Sequence, residues 1–180
     1  EENEELEKLL QLKSSTGDYS SVAASVISYS QSDWYRAIEI NKGTMSGINV
    51  GCAVITPEGV VGTVTEAGPS YAIVTTVLDK SSVVGIKVSR TGGTGLVEGD
   101  DKLAEDLKCK LSFLDRNSPI IVGDVIETSG SGGMYPPELV IGTVVNVSAN
   151  SAGALNYAEI DPAVDFAKLN HVLVIVGTKR

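Results

Sequence analysis

Histidine occurs once in these 180 residues, tryptophan once and cysteine twice, and aromatic side chains make up only 5% of the chain. Catalysis needs convergent titratable groups, and so few excludes most of the usual arrangements. His171 stands at the start of an apolar run; as a general base it would need a nucleophile and an orienting carboxylate beside it. The nearest serine string, Gly130-Ser131-Gly132-Gly133, lacks the Asp of a Gly-Asp-Ser-Gly motif. In a twin-barrel serine protease the histidine would also precede the serine, whereas His171 follows it. One histidine and two cysteines do not make the three or four ligands of a recognisable zinc set. Glycine strings at 91–95 and 129–133 are followed neither by Lys-Ser/Thr nor by a helical pattern, so they read as turns rather than phosphate cradles. Gly99-Asp100-Asp101, with Glu105 and Asp106, lacks the alternating Asp spacing of a calcium loop. The sequence therefore reads as non-enzymatic, with no cofactor and no metal.

Positive charge is also scarce. Against 14 bases stand 23 acids, a formal net charge of -9, and there is no basic stripe to neutralise phosphates, so nucleic acid is not an expected partner. Five of the acids fall in the first seven residues. No apolar run approaches the roughly 20 residues that a membrane-spanning helix requires. With no initiating Met and no signal peptide, the chain reads as a piece of a longer protein, with any targeting or anchoring segment upstream.

What is present is Val, Ile, Gly, Ser and Thr, the composition of short strands and turns. Residues 1–13 are the exception. Leu6, Leu9 and Leu10, with Asn3 and Lys13, fit a stripe at 3-4 spacing among glutamates, which predicts the end of a coiled-coil helix; Asn3, Leu6 and Leu10 are its self-association candidates. A helix this short is marginal alone, so a capping helix on the first domain is the competing reading. Strands are predicted near 21–29, 34–41, 52–56, 60–66, 71–78 and 82–90, then near 107–114, 124–128, 139–147, 155–160 and 171–177. Residues 163–170 suggest one helical turn. Cys109 shares an alternating apolar row with Leu107, Leu111 and Phe113, and Cys52 lies in phase with Val50 and Val54. Both read as separate, buried thiols.

The chain also repeats itself. Pro57-Glu58-Gly59-Val60-Val61-Gly62-Thr63-Val64 returns 80 residues later as Pro137-Glu138-Leu139-Val140-Ile141-Gly142-Thr143-Val144, with seven of eight positions identical or a Val/Ile exchange. Upstream, Val50-Gly51 answers Val122-Gly123; from there to the Gly-Thr-Val the first copy takes 11 steps and the second 19, an insertion of eight. About six short strands per half predicts a mainly β fold of two six-stranded antiparallel β-barrels, preceded by the helix end, because closure removes exposed strand edges. The expected divisions are 1–17 for the helix and its break, 18–95 for the first barrel and 96–180 for the second, joined at the Gly-rich seam 91–101. The terminal strand, 171–177, could pair back onto the first barrel.

Ser32-Asp33-Trp34-Tyr35-Arg36 precedes an alternating Ile38-Glu39-Ile40, and Gly133-Met134-Tyr135-Pro136-Pro137 marks the second-half insertion. Trp34 and Tyr35, then Met134 and Tyr135, are the partner-binding candidates by residue type; Trp34 could equally cap an open barrel end. These strings fall in order with Ile40-Asn41-Lys42-Gly43, Gly47-Ile48-Asn49-Val50-Gly51, Val54 through Gly62, Val122-Gly123-Asp124, Thr128-Ser129-Gly130 and Gly142-Thr143-Val144. Each is a weak glycine pattern, but their order over nearly the whole chain resembles the MreC family of bacterial rod shape-determining proteins. The resemblance implies a scaffold of the cell-elongation machinery, with MreD, MreB, RodA and a class B penicillin-binding protein as partners. It also implies a coiled-coil homodimer lying outside the cytoplasm and anchored to the membrane by an upstream segment. A periplasmic adaptor subunit of an export system is the alternative, and would require a helical hairpin with flanking lipoyl-type halves.

Overall fold

The computed structural model describes residues 1–15, 18–29, 35–114, 119–131, 135–149 and 155–178. Helix α1 (Glu2–Ser15) carries Glu2, Glu4 and Glu5 in its first turn and Lys13 in its last, the arrangement that the helix dipole favours. Among the described residues twelve strands follow: β1 (Tyr19–Tyr29), β2 (Ala37–Ile40), β3 (Ala53–Ile55), β4 (Val60–Ala67), β5 (Ala72–Thr76), β6 (Val83–Val88), β7 (Thr94–Glu98), β8 (Cys109–Ser112), β9 (Val125–Thr128), β10 (Val140–Ala149), β11 (Leu155–Pro162) and β12 (His171–Thr178). They close two antiparallel barrels, in the order β1-β12-β3-β4-β5-β2 and β10-β11-β8-β7-β6-β9. No helix among the described residues is long and apolar enough to cross a membrane.

The division of the chain differs from the sequence expectation. One unit comprises Glu1–Thr76 and Asp165–Arg180, the other Val77–Val164. Strand β6, expected in the first barrel, is the opening strand of the second, and the terminal strand β12 closes the first barrel between β1 and β3. The seam 91–101 is not a connection, because it contains β7, paired to β6 and β8. Its glycines meet backbone demands rather than those of a linker: a Cβ on Gly99 would strike the Asp79 carbonyl, and Gly92 holds a left-handed φ of 73°. Asp100 then caps a short helix, α2 (Asp101–Ala104), by accepting from the amides of Lys102 and Leu103. The helical turn expected at 163–170 is a 3-10 turn, Phe166–Lys168, capped by Asp165.

Each barrel interior is filled by one parity of its strands. Ile38 and Ile40 of β2, Val74 of β5 and Val172 and Val174 of β12 are buried in the first; Ile86 and Val88 of β6, Leu111 of β8, Ile126 of β9 and Ile160 of β11 are buried in the second. β12 is buried on both faces from Val172 to Ile175. Helix α1 packs against β12 and buries Leu9, which accounts for the second row, Leu173 and Ile175. The leucines thus form two rows: Leu9 faces the strand, while Leu6 and Leu10 face solvent.

The sequence repeat is a repeat of hydrogen bonding. The amide of Gly51 donates to Val64 O at 2.8 Å and that of Gly123 to Val144 O at 2.8 Å; Val64 N reaches Cys52 O and Val144 N reaches Asp124 O, both at 2.9 Å. Thr56 N bonds Gly59 O and Thr128 N bonds Leu139 O, again both at 2.8 Å. Gly51 and Gly123 hold φ of 96° and 98°, the left-handed conformation that admits glycine most easily. A Cβ on Gly62 would run into the Thr75 carbonyl, and one on Gly142 into that of Asp161. The registers agree as well: Ala53↔Thr63 and Val54↔Gly62 correspond to Val125↔Thr143 and Ile126↔Gly142. From Thr56 to Gly59 is three steps and from Thr128 to Leu139 eleven, which places the eight-residue insertion between β9 and β10.

Candidate functional site

Of the four aromatic or sulfur anchors expected from sequence, Trp34 and Met134 lie outside the described residues. Tyr35 is half-buried, holds a left-handed backbone (φ 58°) and sets its ring 5.3 Å from that of Tyr29. Its carbonyl accepts from Thr76 Oγ1 at 2.8 Å, tying the turn to β5. Ile27 and Tyr29, two residues apart on β1, are both exposed, so the surface near Tyr35 is wider than the sequence suggested. The alternation Ile27-Ser28-Tyr29 at the strand end was the signal that could have found it.

Tyr135 corrects the reading of the insertion. It is 8% exposed, so the ring offered by the sequence as a surface anchor is a core side chain of the second unit. The turn around it is pinned by Thr128, whose Oγ1 donates to Pro136 O at 2.6 Å and accepts from the Leu139 amide at 2.9 Å. Phe113, expected on a buried row, is instead 78% exposed, because its left-handed backbone (φ 54°) turns it out of the β8 alternation. Val50, in phase with Cys52 on paper, is likewise exposed in the turn before Gly51.

On α1, Asn3, Leu6 and Leu10 are all exposed and available to a partner helix. His171 serves as a tie between elements. Its Nδ1 lies 3.2 Å from Ser25 Oγ on β1, and its Nε2 lies 3.9 Å from Glu2 Oε1 on α1. Glu2 is largely exposed, so that approach contributes little; the Ser25 amide donates to Asn41 Oδ1 at 2.8 Å, and it is buried Leu9 that holds the helix on β12. Ser131 belongs to the other unit, exposed in the turn after β9, with its amide on Ser129 Oγ.

Two polar sites mark the second unit. Asp124 is buried and takes Arg90 Nε at 2.7 Å and Arg90 Nη2 at 2.9 Å on its two oxygens, with the Ile121 amide at 3.0 Å. The Arg90 hydrogen bond, helped by the Ile121 amide and the guanidinium charge, holds its carboxyl below the ordinary range despite burial. Cys109 is buried, donates to Val77 O at 3.3 Å, and has its thiol pushed up to about 12 by desolvation and then by the charge of Asp161. Cys52 is a free thiol too, but only half-buried, in part a departure from the buried position expected of it. Among the described residues no group of three or more His, Cys, Asp or Glu is placed to hold a metal ion.

The comparisons with known proteins agree with one another. The family model described as "Rod shape-determining protein MreC, barrel core" matches residues 26–176. The cell shape-determining proteins MreC of Geobacillus stearothermophilus and Bacillus subtilis are each 34% identical over 185 residues, covering 97% of this chain and 63% of the relative. The chain thus spans somewhat under two thirds of their length. A solved structure titled "MreC" superposes with a TM-score of 0.87 at 24% identity over 97% of both chains. That of MreC from Listeria monocytogenes gives 0.78 at 31% identity, covering 99% of this chain and 93% of the other. A third, from a Helicobacter pylori complex between penicillin-binding protein PBP2 and MreC, gives 0.67 at 15% identity over 87% of this chain and 99% of that one, a likeness of fold alone.

Proposed function

The chain belongs to the MreC family, and from that premise we propose that it is the extracytoplasmic, non-enzymatic scaffold part of a rod-shape determinant. In this reading it links the membrane-associated cytoskeleton to cell-wall synthesis. The observation that carries the reading is the family match over residues 26–176, with cell shape-determining relatives 34% identical; that an MreC chain has been solved in complex with a penicillin-binding protein supports the choice of partner. Physically, each closed barrel has spent its strand edges on itself, so recognition falls to outward side chains. A class B penicillin-binding protein is the direct partner in this reading. RodA, MreD and MreB are engaged by other parts of the assembly or by residues outside these 180. The exposed Asn3-Leu6-Leu10 row of α1 supports a homodimer, extended by further heptads upstream, where the membrane anchor would also lie. Trp34 and Tyr35 remain the candidate anchors of the first unit and Met134 that of the second.

The test is direct binding of the purified chain to the extracytoplasmic part of a class B penicillin-binding protein from the same organism, beside rescue of rod shape in cells lacking their own copy. Saturable binding together with rescue by the anchored form is expected. Rescue without any such binding would assign the role to another partner.

A further inference from the structure

The duplicated frame allows each outward position of one barrel to be checked against its twin. Ile121, Val122, Val125 and Val145 of the second barrel are 56%, 61%, 39% and 38% exposed. By the matched hydrogen bonds and registers their twins are Asn49, Val50, Ala53 and Thr65. The turn valine is common to both. The other three differ in kind: the first barrel carries an amide, a methyl group and a hydroxyl where the second carries Ile, Val and Val.

The four apolar residues adjoin one another. Val125 pairs with Thr143 across β9–β10; Gly123 N bonds Val144 O, which sets the 121–123 turn beside Val145. Val145 stands out because it is the extra residue of a bulge between Val144↔Ile160 and Asn146↔Glu159. The same bulge occurs at Thr65, between Val64↔Val74 and Glu66↔Ile73, and there the extra residue hydrogen-bonds Thr75 Oγ1 at 2.9 Å. The same backbone therefore folds with Asn49 and Thr65 where the second barrel has Ile121 and Val145, and with the small, buried Ala53 where it has Val125, so the fold does not require these three to be large exposed aliphatics. Exposed aliphatic groups with no folding role mark a surface for a partner.

The margin indicates what the partner offers. Across Thr143 from Val125 lies exposed Asp161, and Glu159 pairs beside the bulge. Glu127 and Glu138 share Lys87 on the same barrel wall, and the Arg90 charge is absorbed by Asp124. Acids outnumber bases around the apolar centre, Asp161, Glu159, Glu127 and Glu138 against Lys87 and the Lys110 that pairs opposite Glu159, in a chain of net charge -9. A matching face is apolar with a basic margin.

We propose that the Ile121–Val122–Val125–Val145 face is the docking site for the extracytoplasmic part of the wall-synthesis partner, through an apolar segment flanked by Lys or Arg. This rests on the scaffold reading above. The test grafts the first barrel's residues onto the second, Ile121→Asn with Val125→Ala and Val145→Thr, and measures binding of the full chain to the penicillin-binding protein's extracytoplasmic part. Val145→Thr alone serves if the triple variant does not fold.

With the melting temperature retained, the triple graft should weaken binding about tenfold or more, as loss of a central apolar contact does. Asp161→Asn should slow association at low salt and lose that effect at high salt. Unchanged affinity in a folded graft, with wild type still binding, overturns the site and leaves the scaffold reading intact. Lowered self-association of the graft with unchanged partner binding overturns it too, making the face a contact between copies. No binding by wild type removes both.

Discussion

The first barrel and the second share a ladder, strand for strand. β12-β1-β2-β3-β4-β5 of one corresponds to β6-β7-β8-β9-β10-β11 of the other, each list running in the order in which the equivalent strands follow in the duplicated unit. In the second barrel those six are consecutive in the chain, whereas in the first the opening strand is supplied from the far end. Two kinds of difference are laid over this common frame. The second barrel has longer connections, eight residues more between β9 and β10, while the first has its β12 covered by α1. What must be conserved in the frame is the backbone bonding and the glycines that permit it. What is free to vary is which outward side chains remain exposed.

The harshest way to break the comparison is at its paired glycines. Gly62→Ala and Gly142→Ala should each push a methyl group into the neighbouring strand's carbonyl and cost about 3 kcal/mol. Hydrogen exchange should show each loss confined to its own barrel. If Gly142→Ala were tolerated while Gly62→Ala was not, the two hairpins would not be equivalent.

The tyrosines sharpen the contrast between the units. Tyr135→Ala, which empties a buried site, should cost about 3 kcal/mol in a urea melt. Tyr35→Ala, at a half-buried turn, should cost about 1 kcal/mol. Equal losses would put the two rings on the same footing.

Acid should separate the barrels more gently. Cys52 stands in the first barrel where Asp124 stands in the second, so only the second has this ion pair to lose. In the unfolded chain an Asp titrates near ~3.9, and the folded value of Asp124 is lower. Its contribution is therefore fully present above the unfolded value and is lost as pH falls through the folded one. Exchange protection in β6 and β9 should fall with acid, and Asp124→Asn should remove this pH dependence while lowering stability at neutral pH.

The smallest effect is chemical. Under native conditions a thiol reagent should modify half-buried Cys52 first and leave Cys109 untouched until the barrel opens, since both the burial and the raised pKa of Cys109 oppose thiolate formation. Mass spectrometry of the labelled peptides would reveal a reversal.

The repeated hairpin was legible in sequence because its residues are dictated by backbone geometry: glycine at the left-handed turn, glycine at the close approach, and β-branched residues between. The junction was harder to read. Strand β7 lies in a glycine-rich string whose glycines serve a left-handed turn at Gly92 and close packing at Gly99, and composition alone makes such a string look like a linker. Parity also failed at Phe113, where a non-glycine residue takes a positive φ. Leu107 and Phe113, at 56° and 54°, bracket the one stretch in which Cys109 and Leu111 do alternate as expected. Tyr135 was misread for a related reason, since Pro, Gly and Met around it have the composition of a surface turn. The candidate surface on the second barrel was missed because Ile121, Val122, Val125 and Val145 look like ordinary strand residues, and only their exposure sets them apart.

The position of β12 also determines when each barrel can exist. Residues 171–178 leave the ribosome after the other eleven described strands, and they are wedged between β1 and β3, strands made more than a hundred residues earlier. The second barrel has all its strands by residue 162 and can close without them. Until β12 arrives, the first barrel is an open sheet with two unpaired edges, on β1 and β3, exposed to proteases and to other chains. A product shortened before β12 would carry a finished second barrel and an unfinished first, so closure of the first barrel reports that synthesis has passed residue 178.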